Sequence, residues 1–506
     1  MTAARRLALL VGALLLFRLG SAVIVFQPGY TDAYYYADVA KRLAAGQGLT
    51  ADFIWNFMEA TGPLPVPSHR FWMPLATVLQ AIGIKGLPFL DPFHAAQSIE
   101  ILIACVIPVV AYLAARAIGA SATAALVAAA VAGLGGAFAP GWVSLDAFAP
   151  AAVIGTAFFL CYRRAAAGDL RFGVAAGAAV GLLFLARAEG ALFGLPLLWL
   201  LRSPAARRAG AAGAAVALVF GLGWLVRDLS LGAVPDVLGR SLLLVRYEDF
   251  FAVRVPAGAV VVEPVSWSRF VAALPEVLAA KLAALGTNAT TFVFGFGLLL
   301  VPGIARAMWV RRGKPEATAF GSLIVLVYLV ESLAFTLHST HGSYFHSLAA
   351  FFPFGVALGV VGTSDLLGTV ERRRIAVLGG VVAAAMISVF ALTEWDASFN
   401  PPYRARAAIV GRIPPGVFMA IDAAAWRWIA DRPVVVTPAS GPDPCTLGRR
   451  DLNVTSIVLE PVHFGAYDDL YRGGAHGDWI GDPDRVSFVQ IYPVFAEIAI
   501  PCALIR

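Results

Sequence analysis

Apolar residues fill most of the chain in long runs, and about 20 in a row suffice to cross a bilayer as an α-helix. Such runs lie near residues 7–26, 95–117, 120–139, 147–163, 170–187, 188–202, 207–227, 282–306, 317–337, 346–362 and 375–393. They predict an all-α polytopic membrane bundle of about 11 transmembrane helices. Arg187, Glu189 and Gly190 interrupt the stretch 170–202, so the boundary between its two helices is the least sharply marked. Three segments, 27–94, roughly 228–281 and 394–506, are too polar to span.

The basic residues orient these runs. With the N-terminus in the cytoplasm, Arg5 and Arg6, Arg116, Arg163, Arg164 and Arg171, Arg202, Arg207 and Arg208, Arg306, Arg311, Arg312 and Lys314, and Arg372 to Arg374 all fall on the cytoplasmic side. That is the pattern of the positive-inside rule. An odd number of crossings then puts the C-terminus and all three polar segments on the outer face. The expected organisation is a transmembrane domain over 1–393, with interfacial helices in its first outer loop (27–94), and an extracytoplasmic α/β domain over 394–506. In the latter, Val434-Val435-Val436, Ile457-Val458-Leu459, Phe488 to Ile491 and Ala496 to Ile500 read as short strands, and Asp443 to Asp451 as a short helix.

Composition narrows the class. Of 506 residues, 59% are hydrophobic and 14% charged, against about 25% charged in soluble proteins. The formal charge of +6 would suit nucleic acid, but clustering of Arg between apolar runs excludes that partner. The Ala/Gly/Arg-heavy composition points to a bacterial inner membrane. The run after Arg5 and Arg6 is longer than a signal-peptide core and lacks a cleavage site, so it predicts a retained helix. Arg18 within it is either a functional intramembrane charge or one satisfied by the bundle or an interface. Cys105 and Cys161 read as small hydrophobes, whereas Cys445 and Cys502 are placed to pair outside the cytoplasm. Asn288-Ala-Thr and Asn453-Val-Thr match the glycosylation sequon, a match without meaning in a bacterial chain.

The first outer loop is richest in chemistry. Thr31 or Asp32 is placed to cap a short helix that Gly46 ends, with Tyr and Ala on one side and Lys41 and Arg42 near its end. This helix is expected to lie on the membrane surface. The loop continues through Trp55, Glu59 and Ser68-His69-Arg70-Phe71-Trp72-Met73-Pro74-Leu75 into the run 75–90, which suits an interfacial helix.

An acidic residue just after the first helix, then Tyr-x-x-x-Ala…Leu-Ala-x-Gly-x-Gly, then aromatic-Met-Pro-Leu, resembles the GT-C superfamily of integral-membrane glycosyltransferases. The resemblance is to the branch with protein mannosyltransferases, aminoarabinose transferases and rhizobial lipopolysaccharide transferases. It continues in Asp146, in Leu185-Ala186-Arg187-Ala188-Glu189-Gly190, in Trp224-Leu225-Val226-Arg227 with Gly232 and Pro235, and in Gly342-Ser343-Tyr344-Phe345-His346-Ser347 before Pro353. These motifs cover most of the membrane part.

The resemblance implies transfer of a sugar from a polyprenyl-phosphate donor to an extracytoplasmic acceptor, whether lipid, glycan or protein, with inversion. Asp32 matches the acidic position and would be the general base; alternatively it only caps its helix. Asp38 is a fallback for that role, or else part of a solvated face or a partner for Arg42 at i+4. The departing phosphate needs guanidinium groups, whose planar fork grips its oxygens. Outer-side candidates are Arg70, ranked first, with Arg187, Arg227, Arg240 and Arg246; Arg187 is equally placed to pair with Glu189 or another helix. Asp38, Tyr36, Trp72, Asp146, His341 and His346 are candidates for binding donor or acceptor, Asp146 alternatively being an early-turn acid favoured by the helix dipole. His338, His341 and His346 cluster at the outer rim with spacings too loose for a zinc site. No metal is expected to be required, although a divalent cation is possible; Tyr467-Asp468-Asp469 reads as surface. The rival readings are a flippase or transporter of lipid-linked sugars and a non-catalytic envelope-assembly protein. Transporters tend to show internal repeats and broken helices at mid-membrane, and neither stands out.

Overall fold

The computed structural model describes residues 1–58, 63–231, 241–251, 253–254, 261–262, 266–367, 370–437, 454–460, 487–492 and 495–501. Arg240, Cys445, Cys502, Asn453, the expected helix 443–451 and Tyr467-Asp468-Asp469 lie outside the described residues. The chain divides into two compact units. One comprises Met1–Phe26, Trp72–Ala233 and Leu278–Asp396; the other comprises Gln27–Phe71, Val234–Val277 and Ala397–Arg506.

The first unit is helical. Among the described residues, seven helices are long and apolar enough to cross a membrane: Ala3–Ile24, Pro92–Ala117, Arg207–Ser230, Leu274–Phe296, Pro315–Leu333, Thr336–Leu366 and Leu378–Arg412. Shorter apolar helices cover Leu75–Gly86, Ala122–Leu134, Leu170–Ala186 and Ala188–Leu200, and Phe148–Ala166 is a further helix. The run expected as one helix over 282–306 is two, Leu274–Phe296 and Val301–Val310. Gly297 between them adopts φ +79°, a left-handed conformation that stops a helix and suits glycine. Leu75–Gly86 has 12 residues, too few to span.

Two features explain how so apolar a bundle packs specifically. Lipid tails are as apolar as leucine, so helices associate through close backbone approach and buried polar contacts. Gly173, Gly177 and Gly181 recur every fourth residue on Leu170–Ala186, which packs on Arg207–Ser230; a Cβ on Gly177 would stand 2.1 Å from the Gly213 carbonyl oxygen. Arg18 is buried, and its Nη2 donates to the carbonyls of Ala104 and Gly133 at 3.0 Å each. These carbonyls close the helices Pro92–Ala104 and Ala122–Leu134, where backbone acceptors lack intrahelical donors. Arg18 is thus satisfied by the bundle. Asn288 is also internal, donating to Ser332 and Ser339.

The second unit holds a six-stranded sheet ordered Phe53–Ile54, Val434–Val436, Val417–Ala420, Val454–Leu459, Phe495–Pro501, Ser487–Tyr492. The first three pairings are parallel and the last two antiparallel. Val417–Ala420 and Val434–Val436 are joined through the helix Ala423–Ala430, the crossover that adjacent parallel strands require. Val434, Val435 and Val436 are all fully buried, as expected of strands covered on both faces. One edge strand, Phe53–Ile54, comes from the first polar loop. The helix Val370–Ile409 runs past residue 394 and contains Pro401 and Pro402.

The loop helix Thr31–Ala44 corrects two expectations. Its cap is Tyr30, which makes no side-chain capping bond, and Asp32 sits within the first turn. Every residue from Ala33 to Ala40 is buried, so the helix is enclosed instead of presenting one face. It packs on Ala423–Ala430. Gly46, at φ +79°, follows it as expected.

Candidate active site

In the first unit the buried polar groups gather around the helix Thr336–Leu366. Asp146 lies two residues before the helix Phe148–Ala166, whose N-cap is Ala147. It is therefore not the early-turn acid expected. Its carboxylate is fully buried; Oδ1 accepts from the Ala147 amide, and Oδ2 stands 3.3 Å from His346 Nδ1. The Phe148 ring lies 4.3 Å from the imidazole, and Phe345 stacks on Phe138 with ring centres 4.4 Å apart. The aromatic packing fixes the histidine beside the acid.

A second group adjoins it. Arg187 forms a close ion pair with Glu189 and donates from Nη2 to Ser343 Oγ at 2.9 Å. Ser347 Oγ stands 2.6 Å from Glu189 Oε1 and 3.1 Å from Glu331 Oε1, and Ser343 Oγ donates to the same Glu331 oxygen at 3.2 Å. Arg187, Glu189, His346 and Ser347 line one crevice. A lone buried carboxylate would be costly; here one guanidinium and two hydroxyls share two of them. The chain kinks at this place, with His341 and Gly342 out of helical conformation and Gly342 at φ +110°. His341 is exposed, its Nδ1 2.6 Å from the Leu337 carbonyl oxygen. Arg227 bonds Asp228 at 2.9 Å and lies 4.6 Å from the Trp224 ring centre. Trp72, also in this unit, is half-buried.

In the second unit, Asp32 is half-buried on the first helical turn. The preceding Thr31 donates from Oγ1 to Asp422 Oδ1 at 3.2 Å. Asp422 faces Arg406 at 3.4 Å, and Arg406 also pairs with Glu460 at 2.6 Å. Burial raises the Asp422 carboxyl, with Arg406 opposing. The Tyr247 phenol is pushed up to about 12 by burial together with the charges of Asp32 and Asp422. Asp38 is fully buried and lies 3.8 Å from Arg427, while Arg42 pairs with Asp52. Asp38 therefore lies neither on a solvated face nor in an ion pair with Arg42; a network including Arg427 joins the helix to Ala423–Ala430. Tyr36 is buried and stacks on His69, with ring centres 6.1 Å apart. His69 adopts φ +60°, costly for a residue with a Cβ, and donates its amide to Tyr35 Oη at 2.6 Å. Arg70 follows, half-exposed beside the Tyr35 and Trp55 crevice. Arg246 is not part of this group: it is 64% exposed and pairs with Glu276 at 3.0 Å.

Several of these residues were not singled out by sequence. Glu331 carried a usable signal, a carboxylate inside an apolar run. Ser343 and Ser347 were within a quoted motif but without a role. His69 likewise lay within a quoted run without a role, and Tyr247, Arg406, Asp422 and Arg427 gave no local sign.

No protein-family model matches the sequence, and none of the curated proteins matches it. Solved structures do. ArnT from Cupriavidus metallidurans bound to undecaprenyl phosphate is similar at a TM-score of 0.59 and 14% identity, over 98% of this chain and 98% of that one. The oligosaccharyltransferase of Archaeoglobus fulgidus in its apo form matches at 0.51 and 12%, over 90% of this chain and 69% of that one. The archaeal enzyme in complex with an inhibitory peptide and a dolichol-phosphate matches at 0.51 and 12%, over 88% and 69%. At 12–14% identity the likeness is one of fold, and the chain has the fold of these solved structures.

Proposed function

We propose that this chain is a multi-pass glycosyltransferase of a bacterial inner membrane, moving a hexosyl or pentosyl group from a polyprenyl-phosphate donor to an extracytoplasmic acceptor with inversion. The observation that carries the reading is the likeness over nearly the whole of both chains to an ArnT solved with undecaprenyl phosphate. In this reading the N-terminus is cytoplasmic, about eleven segments cross the bilayer, and the C-terminal α/β part is extracytoplasmic.

The chemistry follows from the side chains. Asp32 accepts the proton of the acceptor hydroxyl as that oxygen bonds to the anomeric carbon. The anomeric carbon–phosphate oxygen bond breaks on the opposite face, and the lipid phosphate departs with the electron pair. Arg70 is the first group to offset its charge, with Arg187, Arg227 and Arg246 as further candidates, while Tyr36, Trp72, Asp146, His341 and His346 contact donor or acceptor. Asp38, enclosed and facing Arg427, is assigned to holding the helix. The reaction as written needs no metal; loss of activity in EDTA with recovery in Mn²⁺ or Mg²⁺ would overturn that part.

The deciding experiment is Asp32→Asn in membranes supplied with a polyprenyl-phosphate sugar. Loss of a general base costs about 10²–10⁴-fold in rate, so transfer should fall by that much with membrane insertion unchanged. Full activity would remove Asp32 from the mechanism. Mass spectrometry of lipid-linked sugars and envelope glycans in cells lacking the protein should show an accumulated donor and a truncated glycan; unchanged envelopes would count against a transferase.

A further inference from the structure

The helix that carries Asp32 begins without a local cap. Its N-cap residue, Tyr30, makes no side-chain capping bond, the kind of bond that commonly fixes a helix start. Two long-range tethers hold this end instead. Tyr34 Oη donates to Gln27 Oε1 at 2.6 Å, and Gln27 Nε2 donates to Asn400 Oδ1 at 3.0 Å. Thr31 donates to Asp422 Oδ1, 391 residues away in the chain. Asp422 is itself fixed on both sides, since its Oδ1 also caps Ala423–Ala430 through the Ala425 amide, and Arg406 faces its Oδ2. Arg406 is anchored in turn by Glu460, which accepts from Trp426 Nε1 at 3.0 Å. The tether therefore ends on a part-buried network anchored by the buried Glu460 and Trp426.

We infer that Thr31 is a positioning residue: its hydrogen bond to the Arg406-held Asp422 sets where the neighbouring Asp32 carboxylate stands. This rests on the reading of Asp32 as the base. A carboxylate that must meet a hydroxyl proton at bonding distance tolerates little displacement, and a misplacement of about 1 Å can cost about a hundredfold in rate. The tether acts on the chemical step and leaves donor binding alone, because neither Thr31 nor Asp422 is among the groups assigned to the phosphate.

The test compares Thr31→Val, which keeps the shape and removes the hydroxyl, with Thr31→Ser, which keeps the hydroxyl, alongside Asp32→Asn. Thr31→Val should lower kcat by about ten- to a hundredfold with the donor KM within about twofold, and Thr31→Ser should restore most of kcat. Wild-type kcat in Thr31→Val beside an inactive Asp32→Asn overturns the inference alone. So does a defect confined to KM, or one that Thr31→Ser shares in full. An active Asp32→Asn instead removes the base reading, and this inference with it. If Thr31→Val does not accumulate, Asp422→Asn against Asp422→Ala makes the comparison from the other side. The Asn variant keeps an acceptor for Thr31 and should retain kcat within about threefold, whereas equal loss in both overturns the proposal.

Discussion

At the scale of single residues, the second unit shows how a buried carboxyl is held by its surroundings. Asp38 has no exposed surface, and burial raises its carboxyl above the ordinary range while Arg427 and Lys41 oppose. A carboxyl whose native pKa is raised favours folding while both states are protonated. That contribution is lost as pH rises from the ordinary Asp value, about 3.9, through the native one. Asp38→Asn removes this dependence. The variant should therefore gain stability relative to the parent as pH increases, by about 1.4 kcal/mol per unit of pKa difference. Thermal unfolding of the detergent-solubilised protein between pH 4 and pH 8 measures this. A parent that gains on the variant with rising pH would show that Arg427 outweighs burial. Arg18 teaches the same lesson in the membrane part: an intramembrane guanidinium need not be functional when helix-end carbonyls accept its protons.

At the scale of elements, small residues decide which helices touch. Gly173, Gly177 and Gly181 bring the backbone of Leu170–Ala186 against Arg207–Ser230 so closely that a Cβ on Gly177 meets backbone. Backbone cannot yield as a flexible side chain can. Gly177→Val should lower the unfolding midpoint, with a cost of about 1–3 kcal/mol typical of overpacking. Gly221→Ala is the control, because nothing lies within 4 Å of a Cβ there; it should be neutral or slightly stabilising, since alanine is the better helix former. Equal effects from the two would mean that the helices do not pack as described. The break at Gly297, at positive φ, is the counterpart: glycine there turns the chain within the apolar run 282–306, which a hydropathy reading runs straight through.

At the scale of the whole molecule, the proposed orientation makes a direct prediction. With the native cysteines replaced, a single cysteine at Arg207 should react with a membrane-impermeant thiol reagent only after the cells are opened. A single cysteine at Arg412 should react in spheroplasts. The reverse pattern would invert the assignment of inner and outer faces. Much of this organisation is legible in the chain itself. Apolar length gives the membrane class and the approximate helices, because a bilayer demands the same 20-odd residues of any sequence. The β-branched runs near 434 and 457 give strands, and the quoted motifs give the GT-C resemblance. What the sequence could not supply is partnership. It did not show that Phe53–Ile54 joins a sheet whose other strands begin at Val417, or that Asp38 faces Arg427 instead of Arg42. Nor did it show Asp146 beside His346, Glu331 sharing Ser347 with Glu189, or Thr31 bonded to Asp422. Hydropathy and propensity are local quantities, summed over neighbours in the chain. A hydrogen bond or ion pair between residues hundreds of positions apart depends on where the folded backbone brings them, and only the tertiary structure decides that.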